Sequence, residues 1–125
     1  MFNEERNNNY TELSDKALNA LKQFSKQIEK HDKFDGFRYV IVLNNGFGAS
    51  VIKHRYSYGI DENLFELAVL DKDQQLCYDS PITCDVLGYL TEDEVVDICK
   101  QINEWDGTPV EEDADEEDED VYEDY

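Results

Sequence analysis

The chain has 125 residues, with 31 acidic against 11 basic side chains and a formal charge of -20. That length suits one domain with a single core. A charge this negative repels DNA, RNA and anionic lipid, so direct nucleic-acid and membrane binding are disfavoured and a protein partner with a basic surface is favoured.

The first ten residues, "MFNEERNNNY", are polar and acidic, and a disordered start is expected there. They have no basic start followed by an apolar run, so no signal peptide is expected. Leu13, Ala17, Ala20, Leu21, Phe24 and Ile28 then fall at helical spacing and predict a first helix, with Thr11 or Ser14 as its cap. On that helix Lys22, Lys26 and Lys30 would form one basic stripe, in the plain reading a solvated face.

"FRYVIVLNNGFGASVIKHR" reads as a β-hairpin, because Asn45-Gly46 suits the positive φ angles of a two-residue type I′ turn. That loop sets Val42 opposite Ala49. One face would collect Val40, Val42, Ala49 and Val51, and the other Tyr39, Ile41, Leu43 and Ile52. Apolar residues on both faces predict a strand covered on both sides. "YSYGIDEN" reads as a loop. "LFELAVL" is the next strand, with Phe65, Leu67 and Val69 on one face and Glu66 on the other. "DKDQ" turns into a fourth strand, "QLCYDS", which Pro81 ends.

"LTEDEVVDICKQINEW" predicts a second helix, with Thr91 as cap and Glu94 completing a capping box. Val95, Ile98, Cys99, Ile102 and Trp105 form its inner stripe, Asp93, Asp97 and Glu104 its outer side, and Gly107 with Pro109 ends it. The fold class is therefore α+β: N-terminal helix, four-stranded antiparallel meander, C-terminal helix and a disordered acidic tail, with the domain spanning residues 11–110.

The tail, "EEDADEEDEDVYEDY", holds eleven carboxylates, namely Glu111, Glu112, Asp113, Asp115, Glu116, Glu117, Asp118, Glu119, Asp120, Glu123 and Asp124. Extended it would reach about 50 Å, and as a helix about 22 Å. Only the compact form approaches the one charge per ~1.7 Å of duplex DNA. Like charges at i,i+4, such as Glu112 with Glu116, oppose that form in free solution. A basic surface would neutralise them, and Tyr122 and Tyr125 would then stack on arginines there. The plainer reading is a solvating appendage.

The block from Asn45 to Ile102, carrying "NGFGASVIKHRYSYG", "LFELAVLD" and "LCYDSPITCDVLGYLTEDEV", resembles a group of small phage-encoded accessory proteins. Phe65 stands where that pattern has Trp, and Cys84 where it has a second Asp. The resemblance implies phage origin and a bacterial host cytoplasm. It brings no assigned activity and no catalytic residue, and it does not include the tail.

Residues that carry catalysis are scarce. His31 and His54 are the only histidines, and neither stands near a nucleophile motif. Cys77, Cys84 and Cys99 fit neither a disulfide framework nor a zinc pattern, and reduced thiols are expected. Gly46-Phe47-Gly48 lacks the third glycine and helix of a phosphate loop. "DKDQQL" lacks the glycine of a calcium loop, and Ile82 stands where its glutamate belongs. No enzyme activity, cofactor or metal is expected.

Two surfaces remain. The acidic one (Asp93, Asp97, Glu104 and the tail carboxylates Glu111 to Asp120) would occupy the basic nucleic-acid groove of a host protein, a defence nuclease or RNA polymerase. The other is "HRYSYG", where Arg55, Tyr56 and Tyr58 are residue types enriched at interface anchors. In that alternative the sheet edge and this loop bind the partner, and the tail only solubilises.

Overall fold

In the computed structural model, which describes residues 10–77, 80–82 and 86–108, the first helix is short. Helix α1 (Asp15–Lys22) opens at Ser14, whose hydroxyl accepts from the Ala17 N–H. It stops one turn past Ala17, where the Gln23 and Phe24 N–H groups turn back to Ala20 and Leu21. The Ser25 hydroxyl also donates to the Leu21 carbonyl, closing the helix end.

The expected continuation of this helix through Ile28 is corrected: Ser25–Lys33 is a nine-residue strand, β1. Only Phe24 and Ile28 there kept the helical period, and pairing with the neighbouring strand outweighs that weak local signal. The basic stripe of Lys22, Lys26 and Lys30 dissolves accordingly. Lys22 ends α1, while Lys26 and Lys30 lie on β1.

Four further strands follow: β2 (Gly36–Leu43), β3 (Gly48–Lys53), β4 (Phe65–Leu70) and β5 (Val86–Leu90). They form one antiparallel sheet in the order β1-β2-β3-β4-β5. Among the described residues the architecture is α+β, with five strands where four were expected. The described residues of the segment read as the fourth strand form an isolated bridge, Leu70 to Leu76, with the Cys77 N–H donating to the Val69 carbonyl, and no strand. Asp71 holds a turn there, its side chain accepting from the Asp73 and Gln75 N–H groups. The ladder next to β4 belongs instead to Val86–Leu90.

The β2–β3 hairpin forms as expected, but its register differs by one residue. Leu43 donates to the Phe47 carbonyl, and the Gly46 N–H returns to the Leu43 carbonyl. The loop therefore has three residues, Asn44 to Gly46, with only Gly46 at positive φ (97°). Ile41 pairs with Ala49 and Tyr39 with Val51. One residue of slip reassigns a whole face, so Tyr39, Ile41, Leu43, Ala49 and Val51 are buried together. Val40 and Val42 line the opposite face and are half-buried.

Both helices pack on the first of these faces. Leu13, Ala17 and Leu21 join Val95, Cys99 and Ile102 there over Phe65, Leu67 and Val69. Cover was expected on both sides of β2; among the described residues the helices cover this one face, and the other leaves Val40 and Val42 half-buried. Helix α2 (Glu92–Glu104) begins at Thr91 with the expected capping box closed by Glu94. Among the described residues no helix is long and apolar enough to cross a membrane. The expected disordered start and the tail from Glu111 onward lie outside the described residues, apart from Tyr10.

Candidate functional site

The outer face of α2 is built by the periodicity that buries its inner face. With Val95, Cys99 and Ile102 fully buried, Asp93, Asp97 and Glu104 must project outward, and all three are exposed. At 1.5 Å of rise per residue they span roughly 16 Å of one helix. Lys100 is the one base on that helix. None of these carboxylates forms an ion pair within 4.0 Å among the described residues, and Asp97 accepts only from the Gln101 amide at 3.3 Å.

The helix is held at both ends. At its start, Glu92 accepts from the Ser14 N–H at 2.9 Å and the Ser14 hydroxyl at 2.8 Å, which ties α1 to α2. Those hydrogen bonds keep the Glu92 carboxyl below its ordinary pKa. At its end, the Asn45 side-chain amide donates to the Ile102 and Trp105 carbonyls, at 2.7 and 3.1 Å. The hairpin loop thus caps the helix across the domain. Phe47 and Trp105 pack beside it as a tilted pair with ring centroids 4.5 Å apart. The acidic face is consequently a fixed array.

The second surface lies where the β1–β2 turn, the loop after β3 and strand β5 meet. Tyr56 and Tyr58 are 67% and 62% exposed, and they are joined there by Phe34 (59%) and Tyr89 (58%). The Phe34 ring meets Tyr56 edge-on at 4.9 Å and His54 at 5.0 Å. Arg55 lies over the Tyr56 ring at 5.5 Å, and Lys33 over Phe34 at 5.2 Å. Asp35 fixes the loop by accepting from the Arg55 N–H at 3.1 Å, and Glu66 by accepting from the Tyr58 N–H at 2.7 Å. Tyr58 lies flush on Gly88, where an added Cβ would come within 2.6 Å of the Tyr58 Cβ.

Sequence reasoning found Arg55, Tyr56 and Tyr58 but not Phe34 or Tyr89. Both missed residues sit at positive φ, 55° and 58°. No spacing in the chain announces that a turn and a bulged edge strand bring them together.

The histidine and serine of this loop serve its shape. The His54 Nδ1 accepts from the Tyr56 N–H, and the Ser57 hydroxyl donates to the His54 carbonyl. Burial lowers the His54 pKa, aided by the nearby Lys33. Lys53, next to it, is 1% exposed and donates to the Thr11 carbonyl at 2.7 Å, with its ammonium 3.8 Å above the Phe65 ring. Burial brings it down to about 8, against the pull of the Glu92 carboxylate. Its bond clamps the segment before α1 onto the sheet.

The tail carboxylates Glu111, Glu112, Asp113, Asp115, Glu116, Glu117, Asp118, Glu119 and Asp120 lie outside the described residues. No protein-family model, no curated protein and no solved structure matches the chain. The functional reading therefore stands on the two surfaces.

Proposed function

We propose that the protein is a non-catalytic, phage-encoded inhibitor whose acidic surface takes the place of nucleic acid in the basic groove of a host cytoplasmic protein. A defence nuclease is the first target class and RNA polymerase the second. One observation carries this reading: Asp93, Asp97 and Glu104 stand exposed, without a cationic partner among the described residues, on a helix fixed at both ends. Unpaired carboxylates on a rigid helix leave their field available to a basic partner, and binding has to order their side chains but not the backbone that carries them. The sequence adds the eleven carboxylates after Val110 to the same side of the balance.

A second reading has its own observation. Among the described residues, four of the five large exposed apolar side chains, Phe34, Tyr56, Tyr58 and Tyr89, lie at one end of the sheet, rimmed by Arg55 and Lys33. Aromatic and arginine anchors of this kind dominate protein interfaces. In this reading the patch binds the partner and the acids solubilise.

Capture from a bacterial lysate at low and high salt, followed by assay of the captured enzyme on its nucleic-acid substrate, separates the two. The acidic reading expects competitive inhibition that weakens steeply with salt, because it rests on screened charge pairs. Asp93→Asn, Asp97→Asn and Glu104→Gln together should raise the inhibition constant and flatten that salt dependence. Unchanged inhibition by the triple variant, with loss on Tyr56→Ala and Tyr58→Ala, decides for the aromatic patch.

A further inference from the structure

Strand β1 borders the sheet, and its outer edge has no neighbouring strand among the described residues. The opposite border is short and irregular, since β5 has five residues, a register shift against β4 and Tyr89 at positive φ. Such features blunt an edge against pairing. β1 has nine residues, pairs regularly with β2 from Gln27 to Lys33, and is exposed over most of its length. Charged side chains on an edge ordinarily prevent association. On β1 their order is self-complementary when the strand is set antiparallel to itself.

We propose that β1 pairs antiparallel with β1 of a second copy, about a two-fold axis at His31. In that register Lys30, which meets Glu12 of its own chain at 2.9 Å, lies opposite the partner's Asp32, and Glu29, which meets His31 of its own chain at 3.1 Å, lies opposite the partner's Lys33. Each pair occurs twice by symmetry. Opposed residues of antiparallel strands share a face at about 4.5–5.5 Å between Cβ atoms, so opposite charges there attract. A slip of one residue sets Glu29 against Asp32 or Lys30 against Lys33. A slip of two sets Lys30 or Asp32 against itself. The charges thus select one register over each neighbouring one, over the five-residue segment 29–33. That is the length of β5, the strand that closes the other border.

Long-range electrostatics permit the pairing. β1 itself carries Lys26, Lys30 and Lys33 against Glu29 and Asp32. Residues 1–55 are slightly basic, and the acidic excess falls after Arg55. α2 packs mainly across β3 and β4, away from β1. Joining the β1 edges therefore keeps the two acidic helices apart and presents two acidic faces from one continuous sheet. The proposal stands independently of the inhibitor reading.

Light scattering of the full chain over a concentration series tests it. A concentration-dependent dimer is expected. Glu29→Lys and Lys33→Glu should each shift the equilibrium to monomer, since each opposes like charges twice. The double variant, which exchanges the two signs, should restore the dimer. Circular dichroism checks that each variant folds. His31→Cys should give a 31–31′ disulfide on mild oxidation, located by peptide mass mapping, because residues facing each other across an antiparallel pair meet disulfide geometry. Gln27→Cys should not cross-link to itself, being displaced eight positions, about 27 Å, along the pair. A full chain that stays monomeric throughout overturns the proposal. So does a dimer indifferent to both single exchanges, or a double variant that stays monomeric.

Discussion

Lys53 shows how a single buried charge shapes the domain. Its ammonium is almost fully removed from water, yet it makes a charge-assisted hydrogen bond to Thr11 and a close contact with the Phe65 ring. Burial still wins, and its pKa falls from 10.5 to about 8. Because the folded state gives up this proton first, the unfolded chain binds more protons between about pH 8 and 10.5. The Lys53 contribution to stability therefore rises with pH through that window and is flat below it. Cys99 acts with the opposite sign. Burial pushes its thiol from 9.0 up to about 12, so its contribution falls as pH rises through that range. The two slopes overlap and partly cancel in the intact chain. Comparison with Lys53→Met isolates the first: denaturant titrations should show wild-type stability gaining on the variant from pH 8 to 10.5. Parallel curves across that window would refute the assignment. Met also leaves the Thr11 carbonyl without its donor, a cost present at every pH.

At the scale of elements, the β2–β3 hairpin depends on Gly46. Its φ of 97° is one that β-branched residues resist, although the Lys72 side chain leaves room for a Cβ. Gly46→Val should cost about 1–3 kcal/mol of backbone strain, which thermal unfolding would register as a fall of several degrees. An unchanged melting temperature would contradict the turn geometry. The hairpin was legible in the sequence from Asn45-Gly46, but its register was not. A two-residue and a three-residue loop both satisfy that dipeptide, and the choice between them reverses which face Ala49 and Val51 occupy. α2 was legible in full, because its apolar period, the Thr91–Glu94 box and its acidic face all agree. β1 was illegible, since "SKQIEKHDK" has one aliphatic residue and neither strand nor helix period. It is a strand because β2 offers it a ladder. Of the candidate surfaces, the α2 carboxylates and the Tyr56–Tyr58 pair were readable from local pattern. Phe34 and Tyr89 join that pair only through the fold.

The whole molecule separates its charge from its core. Among the described residues the buried cluster runs from Leu13 to Ile102, while eleven carboxylates follow Val110. A chain ending at Val110 should melt at the same temperature as the full chain, because eleven of the fifteen removed residues are carboxylates and carry little apolar area to bury. If the acidic surface substitutes for nucleic acid, this truncation should weaken inhibition of the captured host enzyme without abolishing it. Asp93, Asp97 and Glu104 remain on their fixed helix, and the tail's added charge is lost. The salt dependence of inhibition should become shallower in the truncated chain, since fewer screened charge pairs form. Combining the truncation with the three α2 substitutions should then remove most of what is left. The opposite pattern is equally specific. If the truncated chain inhibits fully, with unchanged salt dependence, and Tyr56→Ala with Tyr58→Ala abolishes activity, the aromatic end of the sheet is the binding surface.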